Sequence, residues 1–245
     1  MPVSESAKSL NLTWIAKNAE ELIREAKESR MPPAEFLDDV LAKEVIYRLD
    51  NRVQRKIREA HFPLRKYLQD LDLSEYDTVC SREIEDLSCL DFIHDGRNVI
   101  LIGNPGRGKT HLAIGLGIAA CLADMRVLFT NVPNLVIELK EAMSQNQVTA
   151  YRRKFANYDL VIIDELGYVS FDKQGNEILF NLLSNRNDNG SMIITTNLAF
   201  EKWEEVFHDT NLTAALVDRL THKAHVLDMS GDSFRLKETK ILAGR

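Results

Sequence analysis

Apolar residues fall into short, strand-like runs at 98–102, 126–130, 159–163 and 191–196, with a shorter run at 225–228. Segments of helical spacing lie between them, at 109–123, from Pro133 onward, at 171–185 and at 214–220. Strands alternating with helices in this way predict a doubly wound α/β fold: a parallel five-stranded sheet flanked by helices. Before residue 72 the pattern changes. From Leu10 onward the chain is rich in Ala, Glu, Leu, Lys and Arg and has no glycine, which predicts a small all-helical N-terminal domain. Met31-Pro32-Pro33 breaks it into two helices, and His61-Phe62-Pro63 ends the second. Within that second helix Ile46, Leu49, Val53, Ile57 and Ala60 are spaced as one apolar stripe. The expected division is a helical domain over 1–70 and an α/β domain over 71–245, with the acidic stretch 71–95 as connector.

The first strand runs straight into Gly103-Asn104-Pro105-Gly106-Arg107-Gly108-Lys109-Thr110, followed by His111 and a helical segment. This is G-x-x-x-x-G-K-[ST] between a strand and a helix, the context the phosphate-binding loop requires. Glycines let the backbone close around a phosphate with its N–H groups turned inward, and the helix start adds a positive dipole end. Lys109 is placed to reach the β- and γ-phosphates, and Thr110 to ligate Mg²⁺. Gly115 and Gly117 allow the following helix to pack closely on the sheet.

Ligands of such a sheet gather at the carboxyl ends of its strands. The third strand ends in Asp164-Glu165, a carboxylate for the metal followed by a general base for water. A complete strand–helix unit separates the loop from this pair. That connectivity favours an ATPase with a glutamate base over a switch-type GTPase, and the guanine signature Asn-Lys-x-Asp is absent. Asn197, after the fourth strand, is placed to hold the γ-phosphate or the attacking water. Arg219, near the end of a helix, suits an arginine finger acting across a subunit boundary; Arg186 is its weaker rival.

Composition adds bounds. The chain has 245 residues, 44% hydrophobic and 28% charged, with a formal net charge of −6. That balance argues against a uniformly basic coat for nucleic acid but allows local patches. Two stand out: Arg48, Arg52, Arg55 and Lys56 on the second helix, and Arg152, Arg153 and Lys154. Each reads either as a phosphate-contacting face or as a solvated one. Cys80, Cys89 and Cys121 lack metal spacing and read as free thiols in a reducing compartment. No apolar leader or membrane-length run occurs, so a cytoplasmic location is expected.

With these residues assembled, the chain resembles the IstB-like ATP-binding proteins of bacterial insertion sequences, AAA+ ATPases similar to the DnaC helicase loaders and the DnaA initiator. The phosphate loop, Val161-Ile-Ile-Asp-Glu-Leu-Gly-Tyr168, Ile193-Ile-Thr-Thr-Asn-Leu-Ala-Phe200, Trp203, Val217-Asp-Arg-Leu220 and Gly231-Asp-Ser-Phe-Arg-Leu236 carry the resemblance. It implies ATP and Mg²⁺ as ligands, ATP hydrolysis, and homo-oligomers with ATP sites between subunits. It also implies assembly on duplex DNA as the accessory partner of a transposase that promotes target selection and insertion. A DnaC-like helicase loader is the alternative, and a small-molecule kinase a weak third. The tail after Met229 is too short for the full helical lid of the wider AAA+ class, which leaves Arg235 as the nearest second-sensor candidate.

Overall fold

The computed structural model describes residues 2–167, 172–187, 189–231 and 233. Two compact units emerge, Met1–Arg55 and Lys56–Arg245. The division falls between Arg55 and Lys56 rather than after residue 70, because the stretch following the second long helix packs on the α/β unit. Phe62 lies edge-on to Phe129 with ring centroids 6.1 Å apart, and the Phe129 amide donates to the Ala60 carbonyl.

The first unit consists of helices α1 (Val3–Ser9), α2 (Thr13–Ser29) and most of α3 (Pro33–Glu59). Ala7, Ile15, Leu22 and Val40 form its small core, with Trp14 and Phe36 packed against it. No side chain of α2's own N-terminus caps its free amides. Glu44, on α3, performs that service: its Oε2 accepts from the Trp14 and Ile15 amides at 2.9 and 3.0 Å. Its Oε1 accepts from Arg48 Nε at 2.8 Å, and Arg48 Nη2 donates to the Asn11 carbonyl. Burial pushes the Glu44 pKa up, but Arg48 and the two amides outweigh it and hold the carboxyl below its ordinary value.

The core-facing side of α3 is therefore Phe36, Val40 and Glu44, and the apolar stripe anticipated there is only half right. Ile57 and Ala60 are buried, whereas Ile46 and Leu49 are exposed. Leu37, Leu41 and Val45 are exposed with them, each by more than half.

The second unit opens with α4 (Thr78–Ser88) and the single turn α5 (Asp91–His94). The acidic connector is thus an ordered helix, with Cys80, Ile84 and Leu87 buried. The sheet follows: β1 (Val99–Ile102), α6 (Lys109–Leu122), β2 (Val127–Asn131), α7 (Val132–Ser144), α8 (Val148–Ala156), β3 (Leu160–Leu166), α9 (Lys173–Asn187), β4 (Ser191–Thr196), α10 (Glu204–Phe207), α11 (Thr210–Thr221) and β5 (His225–Asp228). All strands are parallel, in the order β2-β3-β4-β1-β5. The central strands β1, β3 and β4 are almost wholly buried, as their continuous apolar runs require. On one face Ile100, Val161, Ile163 and Ile194 meet Leu135, Leu139, Leu179, Leu183, Leu216 and Trp203. The other face receives α6. A Cβ at Gly117 would stand 2.7 Å from Ile162 of β3 and 2.8 Å from Phe62, so the sheet approach anticipated there holds. Gly115 differs: it makes room for Leu68, from the segment before α4. The strand β4 separates β1 from β3, so the acid pair stands on a strand one removed from the strand that leads into the loop. No helix among the described residues is long and apolar enough to cross a membrane. The expectation of a missing lid concerns 234–245, outside the described residues.

Replacing Glu44 with Gln is expected to cost about 1–2 kcal/mol in the first unit, through two weakened amide bonds and the lost ion pair. Because the folded pKa of Glu44 is depressed, its contribution is full above the unfolded carboxylate value and disappears as pH falls through the folded one. Acid titration of helical ellipticity should therefore show a transition below about pH 4.3 that Glu44→Gln lacks.

Candidate nucleotide site

The helices that follow the neighbouring strands β1 and β4 lie on opposite faces of the sheet, and the phosphate loop leaves β1 at that point. Gly103, Gly106 and Gly108 have φ of 150°, 81° and 82°, a region that suits glycine. At Gly103 the close approach is also steric, since a Cβ would sit 2.6 Å from the Met229 carbonyl carbon. A cavity of about 310 Å³ opens over the loop. Its walls are residues 105–111 together with Glu165, Thr195 and Thr196, and Pro63, Leu64 and Lys66 from the segment after α3. Pro63 belongs to the helix stop His61-Phe62-Pro63, Leu64 and Lys66 to no motif, and only the folded chain reveals the three as neighbours of the loop.

Lys109 is 8% exposed, and its ammonium donates to the Gly103 and Asn104 carbonyls at 2.6 and 2.9 Å. Arg107 behaves unlike an anion ligand: its guanidinium is engaged by the carbonyls of Met229 and Glu75. His111 Nε2 lies 2.9 Å from the Tyr67 carbonyl, and Asn104 Nδ2 donates to Gly231. Pro105 completes the loop's outer wall.

One carboxylate ties β3, β4 and the start of α6 together. Thr110 Oγ1 donates to Asp164 Oδ1 at 2.9 Å, and Thr195 Oγ1 donates to the same oxygen at 2.6 Å. The Glu165 amide in turn donates to Thr195 Oγ1 at 3.0 Å. Thr195 was named in the sequence only as part of a strand end; its role needs the β3–β4 pairing to appear. The strand expected to end at Asp164-Glu165 continues to Leu166, with its register against β4 broken between Ile163 and Leu166. Within that break Glu165 takes φ 64°, an unfavourable conformation for a side chain with a Cβ. The irregularity leaves Glu165 exposed in the cavity wall while Asp164 is buried beside the loop. Backbone strain of this kind is characteristic of functional positions.

Asn197 follows β4, and its Oδ1 is buried without a hydrogen-bond partner among the described residues. Arg219 is exposed on α11, its guanidinium 5.8 Å over the Phe180 ring, and it does not line the loop cavity of its own chain. Arg186 is removed as a finger candidate: it is 2% exposed and donates to the carbonyls of Ala156, Asp159 and Ser191. Burial lowers its pKa to about 10. Of the basic patches, Arg152, Arg153 and Lys154 are exposed on α8. Arg48, Arg52 and Arg55 lie on the exposed side of α3, whereas Lys56 pairs with Asp124 at 2.7 Å and is largely buried. Arg235 lies outside the described residues.

The carboxylate and hydroxyl oxygens at Asp164 and Thr110 converge from two elements at the mouth of the loop. Hard oxygen donors in that number suit Mg²⁺ that keeps phosphate and water as its other ligands.

A model of the family described as IstB-like ATP binding protein matches residues 5–242. The chain is 32% identical, over 94% of its length and 87% of the relative's, to the insertion sequence IS21 ATP-binding protein of Pseudomonas aeruginosa. It is 30% identical, over 98% and 95%, to the insertion sequence IS5376 ATP-binding protein of Geobacillus stearothermophilus. Among solved structures, the DnaC helicase loader aligns with TM-score 0.53 and 21% identity over 65% of this chain and 96% of that one. AMPPCP-bound DnaA from Aquifex aeolicus aligns with TM-score 0.58 and 16% identity, over 75% of this chain and 56% of that longer one. At those identities the structures speak to fold alone.

The strain at Glu165 gives a stability test. Glu165→Gly is expected to be more stable than Glu165→Ala by about 1 kcal/mol, since glycine adopts the left-handed region without a Cβ clash. Urea denaturation of the two variants measures the difference.

Proposed function

The chain belongs to the IstB-like ATP-binding family of AAA+ fold, and on that premise we propose that it is an ATPase that assembles on duplex DNA and serves a transposase in target selection and insertion. The observation that carries the ATPase reading is the convergence of Thr110, Asp164 and Glu165 at the mouth of the phosphate loop.

In this reading the loop amides and the dipole of α6 hold the triphosphate, and Lys109 exchanges its two carbonyl partners for phosphate oxygens. Pro63, Leu64 and Lys66 flank the cavity on the side left for the nucleoside. Thr110 and Asp164 hold Mg²⁺, which when bound neutralises charge on the phosphates. Glu165 accepts the proton of the attacking water, and Asn197, just after β4, holds the γ-phosphate or that water. Arg219, remote from its own loop, completes the site of the next copy in an oligomer. Phosphates of the duplex meet the exposed arginines of α3 and α8. The exposed apolar residues of α3 (Leu37, Leu41, Val45 and Leu49) offer a face for a partner protein. These events belong in the cytoplasm.

A helicase-loading role is the second reading, since it would use the same ATPase core. The insertion-sequence relatives match nearly end to end at 30% identity or more, which favours the first. Preference for duplex over single-stranded DNA separates the two.

Lys109→Ala is expected to lose ATP binding, whereas Glu165→Gln should bind ATP and remain assembled on DNA without turnover. Arg219→Ala should be inactive alone, yet regain turnover when mixed with Lys109→Ala, because each supplies the half-site the other lacks. Phosphate release by the mixture is the measurement, and a mixture no more active than its parts would remove Arg219 from the neighbour's site.

A further inference from the structure

Behind the phosphate loop, three segments distant in sequence meet on one side chain. Arg107 is 5% exposed, with Nε donating to the Met229 carbonyl at 3.2 Å and Nη2 to the Glu75 carbonyl at 2.9 Å. Its guanidinium lies 5.0 Å from the centre of the Tyr76 ring, a cation–π contact. The Tyr76 hydroxyl donates back to the Arg107 carbonyl at 2.7 Å, so the loop's backbone is gripped as well as its side chain. Burial pushes that hydroxyl up to about 12, and it remains a donor throughout the physiological range.

The third segment closes the junction. Gly231, at φ 138°, leaves room for the guanidinium: a Cβ there would stand 3.1 Å from Arg107 Cζ. Asn104 Nδ2 donates to the Gly231 carbonyl at 3.2 Å, and the Met229 amide donates to Ile102 at 2.7 Å. The loop is therefore fastened at its start, through Ile102, Gly103 and Asn104, and near its end, through Arg107. Its anchors are the segment leaving β5 and the segment entering α4. Glu75, Tyr76, Met229 and Gly231 are not among the residues that line the loop cavity.

We propose that Arg107 is a positioning residue that couples occupancy of the phosphate loop to the segments 75–76 and 229–231, acting in both directions. The inference rests on the nucleotide-binding reading of the loop. A phosphate that draws the loop amides inward must move or stiffen the backbone of Arg107, and the guanidinium passes that change to two carbonyls on separate elements. By reciprocity, a disturbance at Gly231 weakens nucleotide binding although Gly231 does not line the loop cavity.

The test uses the full chain, with ATP affinity measured by a fluorescent ATP analogue, turnover at saturating ATP, and amide hydrogen exchange with and without ATP. In the wild type, ATP should slow exchange at the amides of 74–76 and 229–231. Arg107→Ala should abolish that protection and raise the ATP Kd about tenfold, with turnover at saturating ATP much less affected. Arg107→Lys, which keeps the charge over Tyr76, should fall between. Should Arg107→Ala not fold, Tyr76→Phe removes only one hydroxyl and Gly231→Ala acts from the far segment; each should raise the Kd several-fold. Wild-type affinity in these variants, or ATP-induced protection that survives Arg107→Ala, overturns the proposal. A wild-type chain that binds no ATP would instead overturn the reading on which it rests.

Discussion

The site depends on one carboxylate oxygen. Asp164 Oδ1 accepts hydroxyl protons from Thr110 on the helix after β1 and from Thr195 on β4, while Asp164 itself ends the apolar part of β3. Three elements that meet at the carboxyl edge of the sheet are fixed to one another at that atom. Buried hydrogen bonds to an ionised group are worth about twice neutral ones, and leaving such a group unpaired is costly. The strand order makes the arrangement possible, because β4 lies between β1 and β3 and carries Thr195 into the gap between loop and acid.

From that atom the rest of the site follows. Thr195 receives the Glu165 amide, which holds the broken register of β3 and the left-handed backbone of Glu165 in place. The strain is small beside the burial of β1, β3 and β4, whose apolar residues pack between α6 and the α7–α9–α11 layer. The sheet can therefore hold a residue in an unfavourable conformation at its edge. Asp164 stays buried beside the Thr110 hydroxyl, and the next residue turns outward into the cavity. Adjacent carboxylates acquire separate surroundings, one buried and one exposed, from one irregularity in a strand.

Much of this was legible in the sequence. Continuous apolar runs at β1, β3 and β4 and the glycine spacing of the loop are signals read locally, and they located the fold, Lys109, Thr110 and Asp164-Glu165. What stayed hidden depends on distant pairing. Thr195 gains meaning only beside Asp164, and Pro63, Leu64 and Lys66 only once 56–70 packs on the second unit. Arg107 looked like a phosphate ligand because its motif position says nothing of the Met229 and Glu75 carbonyls behind it. On α3, helical spacing identified an apolar face correctly as a pattern. The buried face was instead set by Glu44, a charged residue whose burial is bought by the uncapped amides of α2.

The Asp164–Thr195–Glu165 connection is expected to position Glu165 for hydrolysis without contributing to ATP binding. The direct measurement is phosphate release and ATP affinity in Thr195→Val, with Thr195→Ser as the variant that restores the hydroxyl. The account predicts that Thr195→Val hydrolyses ATP about a hundredfold more slowly with affinity nearly unchanged, and that Thr195→Ser recovers most of the rate. Hydrolysis by Thr195→Val at the wild-type rate would contradict it.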